Sequence, residues 1–151
     1  MKPLKRILLV EDNLKDIDLT LAALEEHHLA NEVVVARDGV EGLDYLYSRG
    51  NFTGRDPGLP AVMLLDIKMP KLNGLEVLRQ MKSDPLLKTL PVVMLTSSQE
   101  EPDLAASYAL GANAYVVKPV DFQQFVAAVK QVGAFWAVLN EPPPSSSNPP
   151  M

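Results

Sequence analysis

The stretch MLLDIKMPKLNG, residues 63–74, indicates the fold class and raises the main chemical question of the sequence. It opens with apolar residues that do not alternate with polar ones, as in a strand buried on both faces of a sheet. The run ends on Asp66, and the turn-forming sequence MPKLNG follows at 69–74. A carboxylate at the end of a buried strand is either a turn former or a chemical group, and the rest of the chain decides between them.

Similar apolar runs recur along the chain and alternate with segments of helical spacing. The predicted strands are 7–10, 33–36, 62–65, 92–95 and 115–117. The apolar stripes of the predicted helices are Leu14, Ile17, Leu21 and Leu24; Val40, Leu43 and Leu46; Leu72, Leu75, Leu78 and Met81; and Phe122, Phe125, Val126, Val129, Val132 and Trp136. The Ala-rich segment 102–110 predicts a further helix, fourth in chain order. Five strands alternating with five helices predict an α/β fold, a flavodoxin-like doubly wound parallel sheet with strand order 2-1-3-4-5.

Length and composition predict one folded domain with a polar tail. The 151 residues, 47% of them hydrophobic, suffice for one compact core and leave no room for a second. We expect the domain to span 1–140. Residues 141–151, with PPPSSSNPPM, lack apolar side chains and are predicted to be disordered. A long polar loop is predicted at 48–60, before the third strand.

Charge and residue usage exclude several function classes. With 14 basic and 19 acidic residues, the net charge of -5 argues against nucleic acid as a partner. The absence of cysteine excludes disulfides, thiolate nucleophiles and zinc-thiolate sites. The N-terminal apolar run is too short for a signal peptide, and no stretch approaches the ~20 apolar residues of a membrane span. We therefore expect a cytoplasmic protein that does not bind membranes.

The residues that follow the strands suggest phosphate chemistry. Glu11 and Asp12 follow the first strand, Asp66 the third, Thr96 the fourth and Lys118 the fifth. In a doubly wound sheet, ligands bind at the carboxyl ends of the strands, where these side chains would meet. At ~5 Å and an effective dielectric constant of ~20, each pair of carboxylates repels by roughly 3 kcal/mol. A positive ligand must offset that repulsion.

A divalent cation with oxygen ligands meets this need, and the donor set is typical of Mg²⁺. With the metal bound, Asp66 could attack a phosphoryl group and form an acyl phosphate. Lys118 and the Thr96 hydroxyl could then hold the phosphoryl oxygens.

Each of these residues also has an ordinary structural explanation. Asp12 and Asn13 could simply cap the helix that follows, and Asp16 would reinforce its first turn. Thr96 could start a helix, and Lys118 could be a surface charge. The coincidence of all these groups at strand ends favours chemistry.

Four motifs resemble the receiver domain of two-component response regulators. They are LLVEDN (8–13), LLDIKMPKLNG (64–74), VVMLTSS (92–98) and GANAYVVKPV (111–120). Their order and spacing match the family from Lys5 to about Leu139.

The resemblance implies a role for each matching residue. It makes Asp66 the phosphoacceptor and a direct metal ligand with Asp12. Glu11 would act on the metal through water, and the backbone carbonyl of Lys68 would complete the protein ligands.

The same resemblance implies a phosphate contact and a switch. Lys118 would bind the phosphate and precede a cis Pro119. Thr96 and Tyr115 would form the switch pair that transmits phosphorylation to the surface.

The sequence is most similar, within this family, to the small single-domain regulators of bacterial phytochrome kinases. The loop at 48–60 and the pair Phe135 and Trp136 suggest this narrower match. The resemblance implies a sensor histidine kinase, a bacteriophytochrome by this match, as phosphoryl donor. We also expect a homodimer through the predicted helix 102–110, the fifth strand and the last helix. Because no DNA-binding segment follows Leu139, we expect output through protein contact or through transfer of the phosphoryl group onward.

Three alternative functions compete with that of a phosphorylated receiver. A haloacid dehalogenase-type aspartyl-phosphate phosphatase needs a second Asp two residues after the nucleophile, where this chain has Lys68. A flavodoxin needs a phosphate loop rich in Ser, Thr and Gly, where this chain has EDNLK at 11–15. The third is a receiver-like adaptor that never takes phosphate, and the complete acidic set argues against it.

Overall fold

The computed structural model of the chain describes residues 6–25, 32–56, 58–97, 111 and 114–133. The strands are β1 (Ile7–Val10), β2 (Val33–Ala36), β3 (Val62–Asp66), β4 (Val92–Thr96) and β5 (Ala114–Val117). The helices are α1 (Leu14–Glu25), α2 (Gly39–Tyr47), α3 (Gly74–Lys82) and α4 (Phe122–Gln131), with a short 3-10 helix at Gly50–Phe52. The predicted helix at 102–110, the predicted tail at 141–151, and Phe135 and Trp136 lie outside the described residues.

The five strands form one parallel sheet in the order β2-β1-β3-β4-β5, as predicted. Three parallel pairings bring together the strands whose ends carry the candidate residues. Val10 pairs with Leu65 across β1 and β3, and Asp66 pairs with Leu95 across β3 and β4. Thr96 pairs with Val117 across β4 and β5. The carboxyl ends of these strands therefore share one edge, because each strand ends within one residue of its neighbour.

The core lies in two layers, one on each face of the sheet. β1, β3 and β4 are fully buried along their length, which explains their unbroken apolar sequences. Alternate strand residues, such as Leu64 and Met63, point to opposite layers. One layer is completed by α2 and α3, and the other by α1 and α4.

In three of the predicted helices, the first residue of the apolar stripe is not where the helical spacing predicts it: two are exposed and one precedes its helix. Leu14 is 62% exposed and Val40 is 43% exposed, although both begin an apolar stripe. Both lie in the first turn of a helix that begins at the carboxyl edge of the sheet, where little of the sheet lies beneath that turn. Leu72 precedes α3, because Asn73 caps that helix and accepts a hydrogen bond from Glu76 N at 2.9 Å.

The polar loop at 48–60 is held against the domain by arginine. The guanidinium carbon of Arg55 lies 3.9 Å from the centre of the Tyr45 ring, and Arg55 Nε donates to the Tyr45 carbonyl at 2.7 Å. Buried Arg6 donates to the Tyr45 hydroxyl at 2.6 Å and to the loop carbonyl of Asp56 at 3.4 Å. The loop is therefore tied to α2 and to the start of β1, at the edge of the sheet opposite the candidate residues.

Within the described ranges, every helix is too short or too polar to cross a bilayer.

Candidate functional site

Three carboxylates converge at the carboxyl edge of the sheet. One oxygen from each of Glu11, Asp12 and Asp66 lies within 4.8 Å of the others. Glu11 is fully buried and Asp66 is 4% exposed. Asn13 N donates to Glu11 Oε2 at 3.2 Å, which fixes this carboxylate beside the start of α1. The side chains predicted to meet at the ends of β1 and β3 are therefore brought together.

Lys118 reaches the same site from the end of β5. Its Nζ lies 3.2 Å from Glu11 Oε1, 3.3 Å from Asp66 Oδ1 and 3.0 Å from Asp16 Oδ2. Its backbone N donates to the Thr96 carbonyl at 2.7 Å, which aligns the end of β5 with that of β4. The Lys118–Pro119 peptide bond is cis, as the resemblance implied. Lys118 is thus an ion-pair partner inside the site and not a surface charge.

Asp16 is the residue of this site that the sequence did not predict. Its first-turn position indicated only a helix-stabilising charge, and its contact with Lys118 spans 102 residues of sequence. The signal available was its place in the first turn of α1, directly after the strand end that carries Glu11 and Asp12.

The titration of the site follows from burial and from the crowding of like charges. Burial, followed by the charge of Asp66, raises the pKa of Glu11 to about 7. Burial also raises the pKa of Asp66, against the opposing effects of Lys118 and of a hydrogen bond with Glu11. Burial and nearby like charge therefore disfavour the ionised forms of Glu11 and Asp66.

The same surroundings favour the charged form of Lys118, because they raise its pKa. Burial alone would lower its pKa, but the hydrogen bond to Asp16 and then the charges of Asp66 and Glu11 raise it. The ammonium is consequently charged throughout the neutral range.

A small cavity of about 50 Å³ opens beside the acceptor carboxylate. It is lined by Asp66, Ile67, Lys68, Thr96, Ser97 and Lys118. Since about 10–15 Å³ suffices for one water, the cavity has room for a group of several heavy atoms. Lys68 and Thr96, both predicted site residues, are thereby placed next to Asp66.

Thr96 and Tyr115 lie on neighbouring strands. Tyr115 pairs with Met94, two residues before Thr96, so the two side chains point to the same face of the sheet. Thr96 is buried, whereas Tyr115 is half-buried against the layer that contains α2 and α3.

The loop between β3 and α3 is held in place from two sides. Gly74 N donates to the Ile67 carbonyl at 2.8 Å, which closes the loop on itself. Lys71 has a φ of 66° and pairs with Asp38 at 3.2 Å, which links the loop to the start of α2. This loop carries Lys68, so the packing around Gly74 and Asp38 fixes one wall of the cavity.

The donor set fits a hard divalent cation. Glu11, Asp12 and Asp66 form a cluster of three carboxylates. Lys118 pairs with two of them, Glu11 and Asp66, and with Asp16 beside the cluster. Carboxylate oxygens are the ligands that Mg²⁺ and Mn²⁺ prefer. A divalent ion would offset the burial and the like charges that raise the pKa of Glu11 and Asp66.

Comparison with known proteins agrees with this geometry. The model of the response regulator receiver domain family matches residues 7–130. The structure is similar to that of the bacteriophytochrome response regulator AtBRR, with a TM-score of 0.85 and 60% identity over 93% of this chain and 100% of that one. RtBRR, another bacteriophytochrome response regulator, has a TM-score of 0.82 and 63% identity over 95% of this chain and 87% of that one.

A cyanobacterial relative extends the comparison to the metal. The response regulator Rcp1 of Synechocystis sp. is 37% identical over 89% of this chain and 90% of its own length. The Mn²⁺-bound form of Rcp1 has a TM-score of 0.70, with 36% identity over 88% of this chain and 94% of that one.

These relatives are signalling proteins. Receiver domains are phosphorylated on an aspartate and bind a divalent metal ion in an acidic pocket. The family that matches is the receiver domain family, and not that of the flavodoxin or phosphatase alternatives. The family match covers residues 7–130, and the relatives are 36% to 63% identical to this chain. This chain therefore belongs to the response regulator receiver domain family.

Proposed function

We propose that Asp66 accepts a phosphoryl group from the phosphohistidine of a sensor kinase. The observation that carries this proposal is the placement of Asp66. It lies among Glu11, Asp12 and Lys118 and lines a cavity of a few tens of Å³ with Thr96. An aspartate in a buried acidic cluster, with a cavity beside it, is suited to attack and not to capping a turn.

The transfer needs positioning and charge neutralisation more than it needs covalent help. An Asp66 carboxylate oxygen forms a bond to phosphorus as the P–N bond to the kinase histidine breaks. The electron pair of that bond stays on the imidazole nitrogen, which then takes up a proton. Lys118 and the Thr96 hydroxyl hold the phosphoryl oxygens. With Lys68 two residues after Asp66, no second carboxylate stands there as an acid or base, so we expect only slow hydrolysis of the acyl phosphate and no enzymatic turnover.

We propose Mg²⁺ as the metal. Asp12 and Asp66 would hold it directly, Glu11 through water, and Lys68 through its backbone carbonyl. Bound there, Mg²⁺ would supply charge neutralisation for the phosphoryl oxygens.

We propose that Thr96 and Tyr115 transmit the phosphorylation. A phosphoryl group on Asp66 would draw the Thr96 hydroxyl toward it, which changes the packing below Tyr115 on the same face of the sheet. Tyr115 is half-buried, so a new rotamer would alter the surface beside β5. The output would then be a changed protein-binding surface.

The proposed donor is a bacteriophytochrome histidine kinase, and the 60% and 63% identity to two bacteriophytochrome response regulators supports this choice. We expect a ³²P-labelled bacteriophytochrome kinase to transfer its label to this protein within minutes in the presence of Mg²⁺. Chelation of the metal with EDTA should remove transfer, because the carboxylate cluster then repels the phosphoryl group. A histidine kinase unrelated to phytochromes serves as control. Equal transfer from both kinases would contradict the partner assignment, and transfer that persists in EDTA would contradict the metal role.

We further propose that the protein acts in the cytoplasm, without nucleic acid, as a homodimer. The proposed interface comprises β5, α4 and the segment 102–110, of which only β5 and α4 lie among the described residues. Sedimentation velocity with and without beryllofluoride, a phosphoryl mimic, tests the dimer. We expect about twice the monomer mass of 16.5 kDa in at least one of the two states. A monomer in both states at tens of micromolar protein would contradict it.

A further inference from the structure

Asp16 makes the shortest of the three carboxylate contacts to Lys118. Its Oδ2 lies 3.0 Å from Lys118 Nζ, against 3.2 Å for Glu11 and 3.3 Å for Asp66. The side chains of Lys118 and Asp16 are 13% and 26% exposed, so water screens the pair only partly. The contact is therefore strong enough to matter for the position of the ammonium.

The start of α1 fixes Asp16 in this position. Asn13 Oδ1 accepts a hydrogen bond from Asp16 N at 3.0 Å, which begins the helix directly after the Glu11 and Asp12 pair. Asp16 then lies in the first turn of α1, which starts at Leu14, and its side chain reaches Lys118 from there. It is nevertheless absent from the set of carboxylates close enough to share one ion, which consists of Glu11, Asp12 and Asp66.

This separation gives Asp16 a different role from the other acids. A cation held by the three clustered carboxylates would neutralise Glu11 and Asp66, two of the three partners of Lys118. Asp16 would keep its full charge. It would then be the carboxylate among these three that still competes for the ammonium when a phosphoryl group arrives on Asp66.

We propose that Asp16 is a positioning residue that competes with the phosphoryl group for Lys118. This inference rests on the proposed phosphoacceptor function of Asp66. Asp16 draws the ammonium toward α1, and its negative charge repels the phosphoryl group. Both effects weaken the contact between Lys118 and the phosphoryl group. Asp16 therefore makes the phosphorylated form of the protein less favourable.

Beryllofluoride binding at saturating Mg²⁺, followed by ¹⁹F NMR, tests the inference. We expect Asp16→Asn to bind beryllofluoride about threefold to tenfold more tightly than the unsubstituted protein, the scale of one partly screened charged contact. Asp16→Glu restores the charge within reach of Lys118 and should return the affinity toward the original value. Asp18→Asn is the matched control, because Asp18 is exposed on the same helix and carries the same charge. Its affinity should change by less than about twofold, since it is exposed and screened by water.

The outcomes distinguish this inference from the proposed function. Beryllofluoride affinity that is unchanged or weaker in Asp16→Asn, or equal tightening in Asp18→Asn, overturns the role of Asp16 alone. Failure of the unsubstituted protein to bind beryllofluoride overturns the proposed function together with the inference. Urea unfolding of each variant separates a positioning role from a structural one. If Asp16 were merely structural, Asp16→Asn would change the free energy of unfolding and Asp16→Glu would not restore the original beryllofluoride affinity. Asp16→Ala, which removes the charge by another route, should tighten binding in the same way.

Discussion

Asp66→Asn should abolish phosphorylation by acetyl phosphate in the presence of Mg²⁺. The amide cannot act as the nucleophile, and loss of the nucleophile in a group-transfer reaction lowers the rate by more than roughly a hundredfold. Intact-protein mass spectrometry measures the phosphorylated fraction directly. Base treatment should remove the phosphoryl group from the unsubstituted protein, because an acyl phosphate is labile to base.

Two controls separate loss of chemistry from loss of fold. Asp18→Asn makes the same acid-to-amide change on the exposed side of α1 and should be phosphorylated normally. Because burial raises the pKa of Asp66, its ionised form costs folding free energy at neutral pH. Asp66→Asn should therefore unfold at the same or a higher urea concentration. Labelling of Asp66→Asn at the original rate would contradict the assignment of the acceptor.

Gly74→Ala should both destabilise the domain and impair phosphorylation. A Cβ atom on Gly74 would lie 2.2 Å from the backbone oxygen of Asp66 and 2.9 Å from the Cα of Ile67. Both atoms belong to the backbone, so α3 must move away from the loop that carries the acceptor. We expect the free energy of unfolding to fall by about 3 kcal/mol or more, at the upper end of the cost of overpacking. The phosphorylation rate should fall with it, because the wall of the cavity shifts.

Gly54→Ala is the matched comparison, since nothing lies within 4 Å of a Cβ atom there. Its φ of 83° disfavours alanine by about 1–2 kcal/mol, so some loss of stability is expected. Its phosphorylation rate should be unchanged. Equal loss of phosphorylation in the two variants would show that close packing at Gly74 does not position Asp66.

The sequence predicted the sheet well because each strand is apolar without interruption. Continuous apolarity over 62–65 requires burial on both faces, and helices between such strands allow few topologies. Strand ends are harder to predict: β3 includes Asp66 and β4 includes Thr96, because polar residues at the sheet edge continue the backbone pairing. The candidate residues at these ends could be identified because parallel strands bring their carboxyl ends to one edge.

Details that depend on three-dimensional packing were not predictable from local pattern. Leu14 and Val40 begin apolar stripes but are exposed, since periodicity does not show where the sheet ends. The ion pair of Asp16 with Lys118 depends on the placement of α1 against β5, across 102 residues of sequence. Arg55 lies over the Tyr45 ring in a segment whose polarity predicted only a loop.

The carboxylates, hydroxyl and ammonium act together only if they surround one ion and one phosphoryl group. A crystal structure of the protein with Mn²⁺ and beryllofluoride tests this most directly, because Mn²⁺ can be located by its anomalous scattering. We expect the manganese peak within coordination distance of carboxylate oxygens of Asp12 and Asp66. We expect beryllium bonded to an Asp66 oxygen, with its fluorine atoms contacting Lys118 and Thr96. Manganese bound away from this edge of the sheet, or beryllofluoride on another carboxylate, would contradict the account.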